Sequence, residues 1–419
     1  MRTNVAQDLS NQIRSAEDEY FYQAKDALKN WQPLERSSDK RQIQVIDLFS
    51  GCGGMSLGFA SLSKVTKDIQ LIGAADINAK SLETYHNNFK APALNRDVRQ
   101  MSKSPELLKQ FLQDLDGYDP NLTQILIGCA PCQGFTAHRK KNWDQPDDRN
   151  GLIEAFTDIA ISMQPDCVVM ENVPELLSKK YWHHFTYFQR KMSENGYIVK
   201  QSIHNAAAHG VPQERFRAIV VAMKKNFYLP KDRLQRDDFS TVKDAIGDLK
   251  KVRAGQVCSR DPMHKSANHK TSTIDVIKAV PLNGGSRPEG VGPKCLQGFK
   301  GFADVYGRLS WDKPSITITH YARNPASGRF VHPEQHRGLS MREAARLQSF
   351  PDGFVFSGSS DDIYRQIGEA VPPLLSTAIA STIYANLKQE IEHREDDLIT
   401  EPVNNSYAGV IAGIKGAKK

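Results

Sequence analysis

The chain has no apolar run long enough to cross a bilayer, and its opening residues, Met1-Arg2-Thr3-Asn4-Val5-Ala6-Gln7-Asp8, lack the apolar core of a secretory signal. A cytoplasmic protein without a membrane partner is therefore expected. Cysteine is sparse: six in 419 residues, with no even spacing, exclude a disulfide framework and point to a reducing compartment. Cys52, Cys167, Cys258 and Cys295 read as small buried or incidental residues. Cys129 and Cys132 have no second cysteine or histidine pair at zinc-ligand spacing, so no metal is expected. Internal repeats are absent too, which argues against a solenoid.

What is present is ordinary for a globular chain: 39% hydrophobic and 25% charged residues. The length suggests about two to three domains. A net charge of +7 says little alone, but between Lys224 and Arg308 there are 17 Lys and Arg against 9 Asp and Glu, an excess larger than that of the whole chain. Basic residues are thus concentrated in one segment, as a phosphate-facing surface requires.

From Ile43 onward, short apolar runs alternate with helical stretches at 43–49, 53–63, 69–75, 79–89, 123–128, 150–163, 166–171, 182–195 and 197–203. That rhythm predicts an α/β fold, a doubly wound and mostly parallel sheet with ligands at the carboxyl ends of its strands. It breaks between Lys224 and Phe302, where turn fragments such as Asn283-Gly284-Gly285-Ser286-Arg287-Pro288 predict a second, smaller and irregular domain. Residues 340–349 and 371–390 are predicted helical. At the N-terminus, Tyr20, Phe21, Ala24, Leu28 and Trp31 predict one or two amphipathic helices within 5–31, either packed on the main domain or serving as a docking or DNA-contacting arm. The tail after Pro402 is expected to be mobile.

Three strand ends carry chemistry. Ile125-Leu126-Ile127-Gly128-Cys129-Ala130-Pro131-Cys132 runs a buried strand into a candidate nucleophile. A redox reading of Cys129-x-x-Cys132 would predict a much smaller fold and leave the neighbouring motifs without a role. Val45-Ile46-Asp47-Leu48-Phe49-Ser50-Gly51-Cys52-Gly53-Gly54 is a strand entering a glycine-rich turn that also includes Gly58. Such a turn lets backbone amides approach a ligand, although glycines there are as often structural. Asp76, at the end of the next strand, stands where such folds hold a ribose hydroxyl. Asp97 reads on its own as a capping aspartate. Val168-Val169-Met170-Glu171 ends on a carboxylate that is either an acid or a turn cap. In Gln213-Glu214-Arg215-Phe216-Arg217, alternation would send both arginines to one face, by default a solvated one.

These blocks, with Arg342-Glu343-Ala344-Ala345-Arg346-Leu347-Gln348 and Gly368-Glu369-Ala370-Val371-Pro372-Pro373, resemble the ordered motif series of the DNA (cytosine-5) methyltransferases of bacterial modification type, over residues 43 to 390. The resemblance implies a Rossmann-like, S-adenosylmethionine-dependent methyltransferase fold. Its domains would be an N-terminal helical extension (1–40), a catalytic domain (41–224 plus 362–392), a target-recognition domain (225–361) and a C-terminal tail (393–419). Phe49 and Ile77 would flank the adenine, Ser50, Gly51, Cys52, Gly53 and Gly54 would line the turn, and Asp76 would bind the ribose. Asp97 with Val98 would reach the adenine edge, and Pro131, Leu152, Glu369 and Ala370 would complete the pocket.

The implied reaction explains the catalytic set. C5 of cytosine is too electron-poor to attack a methyl sulfonium unless a thiolate first adds at C6, which also needs a proton or hydrogen bond at N3. Cys132 would supply the thiolate and Glu171 the acid. Arg217 would bind the cytosine O2, and Arg215 would brace the catalytic loop or the acid. Gln133 to Arg149 would be a mobile loop closing on duplex DNA, from which the base must be flipped. Two positions depart from the family pattern: Cys129, where glycine is frequent, and Glu369, where asparagine is common. The expected partners are double-stranded DNA, bound by a monomer, and other proteins of a restriction or phage-defence system. The rivals are a non-catalytic DNA-binding relative, against which intact Cys132, Glu171 and Arg217 argue, and an RNA cytosine methyltransferase. The target sequence is not legible, since irregular loops in 225–335 would carry it.

Overall fold

The computed structural model describes residues 15–35, 41–131, 151–296 and 304–403. In chain order it begins with α1 (Ala16–Lys29), β1 (Ile43–Leu48), α2 (Gly54–Thr66), β2 (Ile69–Asp76), α3 (Ala79–Phe89), β3 (Ala93–Asn95), α4 (Val98–Lys103) and α5 (Pro105–Gln113). β4 (Thr123–Gly128), α6 (Leu152–Met163), β5 (Cys167–Asn172), α7 (Trp182–Glu194), β6 (Ile198–Asn205) and β7 (Phe216–Met223) follow. The strands form one seven-stranded sheet in the order β3-β2-β1-β4-β5-β7-β6. β7 runs antiparallel to both β5 and β6, and the other pairings are parallel.

All six residues of β1 and all six of β5 are buried, as expected for strands covered on both faces by helices. Alternation sorts their side chains into two cores. Val45, Ile125, Ile127, Val169, Ile219 and Val221 face one, shared with α1, α2 and the last helix. Ile46, Leu48, Leu126, Val168, Met170 and Val220 face the other, with α4, α6 and α7. The doubly wound α/β fold expected from the apolar rhythm is the fold observed.

The reversal of β7 matters most for the site. An antiparallel strand beside β5 starts where β5 ends, so Arg217 lies one strand away from Glu171, with Ala218 paired to Asn172 and Ile219 to Glu171. The strand begins at Phe216, later than the alternation over Gln213–Arg217 suggested. Gln213 instead bridges to Ser315, and the Glu214 amide donates to the Ser315 carbonyl at 2.9 Å.

Residues 225–361 hold α8 (Val242–Ile246), the two-stranded β8 (Val257–Cys258) and β9 (Asp261–Lys265), α9 (Thr271–Ala279) and α10 (Met341–Leu347), joined by turns. A small cluster of Ile277, Val280, Tyr306 and Val331 is their own; Phe227, Val242, Leu309, Ile318 and Leu339 join the core beneath the sheet. α11 (Ser360–Glu369), which the pattern did not indicate, starts at a capping box made by Ser359 and Asp362. α12 (Pro373–Lys388) begins on the proline pair and packs against α2.

The basic segment does not spend all its charge on the surface. Two of its cations are structural: the Arg233 side chain is 3% exposed and pairs with Glu17 and Asp18 of α1. Arg308 is fully buried and donates to the carbonyls of Val280, Ile277, His332 and Gln335. A segment short of regular hydrogen bonding must satisfy its buried carbonyls with side chains, and arginine has five donors for the task. α1 packs on the main body through Phe21, Ala24 and Leu28, and Trp31, just after it, is buried too. The tail is docked as far as Val403, whose amide donates to the Leu177 carbonyl at 2.9 Å; the residues beyond lie outside the described ones.

Candidate active site

The turn after β1 reverses through left-handed backbone at Phe49, Gly51 and Gly53 (φ 57°, 52° and 90°). Its glycines have different reasons. A Cβ on Gly53 would collide with Phe89 and Tyr85, one on Gly54 with the Val371 carbonyl, and one on Gly58 with the backbone of α12. These three are required by packing. A Cβ on Gly51 would meet no atom within 4 Å, so Gly51 faces open space. Its amide donates to Asp76 Oδ2 at 2.8 Å, and the Asn78 amide donates to Oδ1 at 2.8 Å. Asp76 thus pins the turn to the end of β2, and burial raises its carboxyl above the usual range against these hydrogen bonds.

Around this opening, Ile77 is 70% exposed, an unusual exposure for an isoleucine at a strand end. Phe49 is half-buried, Leu152 is buried at the first turn of α6, and the Ser50 hydroxyl is buried without a hydrogen-bond partner. Cys52 is buried, its thiol donating to the Gln366 carbonyl at 3.6 Å. Asp97 caps α4 and pairs with Arg99 at 2.9 Å, the capping role read from the residue alone, and Val98 is buried behind it. Glu369 is exposed at the end of α11, and Ala370 is half-buried after it. Partial burial raises the Glu369 carboxyl, opposed by Arg365 and reinforced by Asp76.

On the other side of β1, β4 ends at Gly128, paired with Met170 of β5. Asn172 Nδ2 donates to the Ala130 carbonyl at 3.2 Å, tying the two strand ends together one residue before the exposed Pro131. Cys132 and the Gln133–Arg149 loop lie outside the described residues. Cys129 is half-buried; burial and the nearby Glu171 hold its thiol well above the ordinary range.

Glu171 is 7% exposed, and its Oε1 lies 2.8 Å from Arg217 Nε. Arg217 also donates from Nη1 to the Phe216 carbonyl at 2.7 Å. For Arg215, expected to brace the catalytic loop or this acid, the loop lies outside the described residues. Lying before β7, Arg215 is buried and donates to the carbonyls of Ile318 at 3.2 Å, Gly368 at 3.3 Å and Ala370 at 3.1 Å. It therefore holds the Gly368-Glu369-Ala370 segment, and the guanidinium on the acid belongs to Arg217.

Several residues of the motif blocks, given no role of their own by the sequence, support the site. Gln213 donates to Leu347 and Gln348 and accepts from the Ile318 amide, while Gln348 donates to the Ile367 carbonyl. The motif around α10 is a joint. Arg342 pairs with Asp261, Arg346 with Asp248 and Asp352, and Glu343 with the buried Arg337, at 2.6–2.7 Å. Beneath the glycine turn, Asp47 is fully buried, accepts from Ser56 Oγ at 2.6 Å and leaves Oδ1 unpartnered. Burial pushes its carboxyl up to about 8. Among the described residues, no helix is long and apolar enough to cross a membrane.

The family model for C-5 cytosine-specific DNA methylase matches residues 43–385. The chain is 34% identical over 343 residues to the Type II methyltransferase M1.HphI of Haemophilus parahaemolyticus, covering 81% of this chain and 86% of that one. To the Type II methylase M.HgiDII of Herpetosiphon aurantiacus it is 31% identical over 352 residues, covering 81% and 94%. A crystal structure of a DNA modification methyltransferase encoded within an E. coli prophage superposes with a TM-score of 0.63 at 23% identity, covering 83% of this chain and 99% of that one. This last similarity concerns the fold.

Proposed function

The chain belongs to the C-5 cytosine-specific DNA methylases of bacterial modification type, and from that premise we propose that it methylates C5 of a flipped-out cytosine at a specific duplex sequence, through a covalent bond between Cys132 and C6. The observation that carries this reading is the convergence, at the carboxyl ends of the central strands β1, β4 and β5, of the open Gly51 turn, the Ala130-Pro131 strand end and the Glu171–Arg217 pair.

The pocket fits S-adenosylmethionine: there is space before Gly51, an unpartnered Ser50 hydroxyl, an exposed Ile77 surface for a flat ring and an Asp76 carboxylate beside it. When bound there, that cofactor supplies an electrophilic methyl on a sulfonium. Phe49, Ile77, Val98 and Leu152 would hold its base, Asp76 its ribose, and Ser50, Gly51, Pro131, Glu369 and Ala370 the remainder.

In the reaction, the Cys132 thiolate adds to C6 while Glu171 holds or shares a proton at N3, so electron density builds at C5. Arg217, already paired with Glu171, fixes the cytosine O2. After the methyl is transferred, C5 loses its proton and the C6–S bond breaks, returning the thiolate and an aromatic ring. Arg215 acts from behind as a positioning residue. The exposed cations of 225–361, which exclude the buried Arg233, Arg308, Arg337 and Arg342, would face the phosphates. The Type II names of the relatives support a modification role, which we assign to a restriction or other phage-defence system in the cytoplasm. Bisulfite sequencing of host DNA with and without expression tests the reading: a recurrent methylated sequence in expressing cells supports it, and unchanged DNA contradicts it.

A further inference from the structure

His204 lies next to the end of β6, and His209 ends a single 3₁₀ turn, Ala206–His209. Four residues lie between them, so the pair has the spacing of zinc-ligating histidines, contrary to the sequence expectation. The fold brings them together: their ring centroids are 5.6 Å apart. Asp232 is carried over them because the Arg233 and Leu234 amides both donate to the Ala208 carbonyl at 3.0 Å. One ligand atom from each of His204, His209 and Asp232 lies within 4.8 Å of the others.

We propose that His204, His209 and Asp232 form a binding site for one divalent transition-metal ion of the zinc type, with a further coordination position open to solvent at Asp232. His209 is 1% exposed, yet among the described residues neither ring nitrogen has a hydrogen-bond partner. Buried polar groups are nearly always satisfied, and an imidazole with two idle nitrogens is an exception that a ligand would remove. His204 is already oriented as a metal ligand. Its Nε2 lies 2.6 Å from the Ser202 hydroxyl, an oxygen that can accept from Nε2 and so leave the Nδ1 lone pair for a metal, and Nδ1 lies 3.9 Å from Asp232 Oδ1.

Two imidazoles and one carboxylate suit zinc, cobalt or nickel better than magnesium or calcium, which prefer oxygen. Metal–ligand bonds of about 2.0–2.2 Å require the three groups to close by about an ångström, within the reach of side-chain rotation. The local cation, Arg233, is neutralised by Glu17 and Asp18. His204 is paired across the strands with Arg217, so an ion here would clip the start of the irregular segment to the strand pair that carries Arg217.

The test uses the full chain with Cys132→Ala, which removes one competing thiolate, stripped by chelator and desalted. Titration with Zn²⁺ and separately Co²⁺ by calorimetry should give one ion per chain and a metal-dependent rise in Tm, as ligands of the folded state stabilise it. Asp232→Asn, partly exposed and expected to fold, and His209→Gln should each weaken binding beyond the roughly 10–100-fold cost of losing an outer-shell partner. Absence of binding to the parent protein, or equal affinity in both variants, overturns the proposal.

Discussion

Arg217 Nε stands 2.8 Å from Glu171 Oε1, joining the end of β5 to the start of β7 with both side chains nearly buried. This contact sets the orientation of an acid and a cation before any base arrives. Glu171→Gln keeps an oxygen for Arg217 but removes the proton-sharing carboxyl. The single-turnover methylation rate should therefore fall by roughly 10²-fold or more, with Tm little changed. A stable variant with near-normal rate would remove Glu171 from the catalytic set.

Arg215 predicts the opposite pattern. Replacing it with Met removes the charged donor from the buried Ile318 and Gly368 carbonyls and leaves Ala370 with Gln348 alone, and each hydrogen bond from a charged group contributes about 1.5–3 kcal/mol. Arg215→Met should lower Tm by several degrees and raise KM for the methyl donor, because Gly368–Ala370 loses its tether. Unaltered melting and KM, with a fall in kcat alone, would mean that Arg215 touches the reacting base.

Asp47 supplies a pH signature. Its carboxyl is raised to about 8 in the folded chain against about 3.9 when unfolded. The folded state therefore favours the protonated form, and this group's stabilisation, complete below pH 4, is lost as pH rises towards 8. Asp47→Asn mimics the neutral form, so its Tm relative to the parent should rise steadily between pH 5 and 8. A difference in Tm that does not vary with pH would contradict the buried neutral acid.

The irregular segment should carry sequence recognition. Exchanging residues 225–335 for those of a related methylase should change the methylated sequence, and affinity should fall steeply with salt as counterions are released. Retained specificity after the exchange would place recognition elsewhere.

The central strands were legible because burial on both faces leaves continuous apolar runs, and the glycine turn and Glu171 were legible because each ends such a run. Arg215 was not: its partners lie more than 100 residues away, a distance at which alternation along a strand carries no information. Nor was the interior use of Arg233 and Arg308, since charge counts do not distinguish a phosphate-facing cation from one satisfying buried carbonyls. The role of Gly51 separated from that of Gly53 and Gly54 only when the space before each was known. Asp47 was visible as a residue but not as a buried acid, because its neighbours Ser56 and Tyr85 come from other elements.

The most direct measurement is product analysis after incubation of duplex DNA, and separately tRNA, with labelled S-adenosylmethionine and either the parent protein or Cys132→Ser. The parent should yield 5-methyldeoxycytidine from the duplex and little from tRNA. Cys132→Ser should yield none while still binding the duplex, since a hydroxyl is a far poorer nucleophile at neutral pH. Wild-type turnover by Cys132→Ser, or methylation confined to tRNA, would contradict the account.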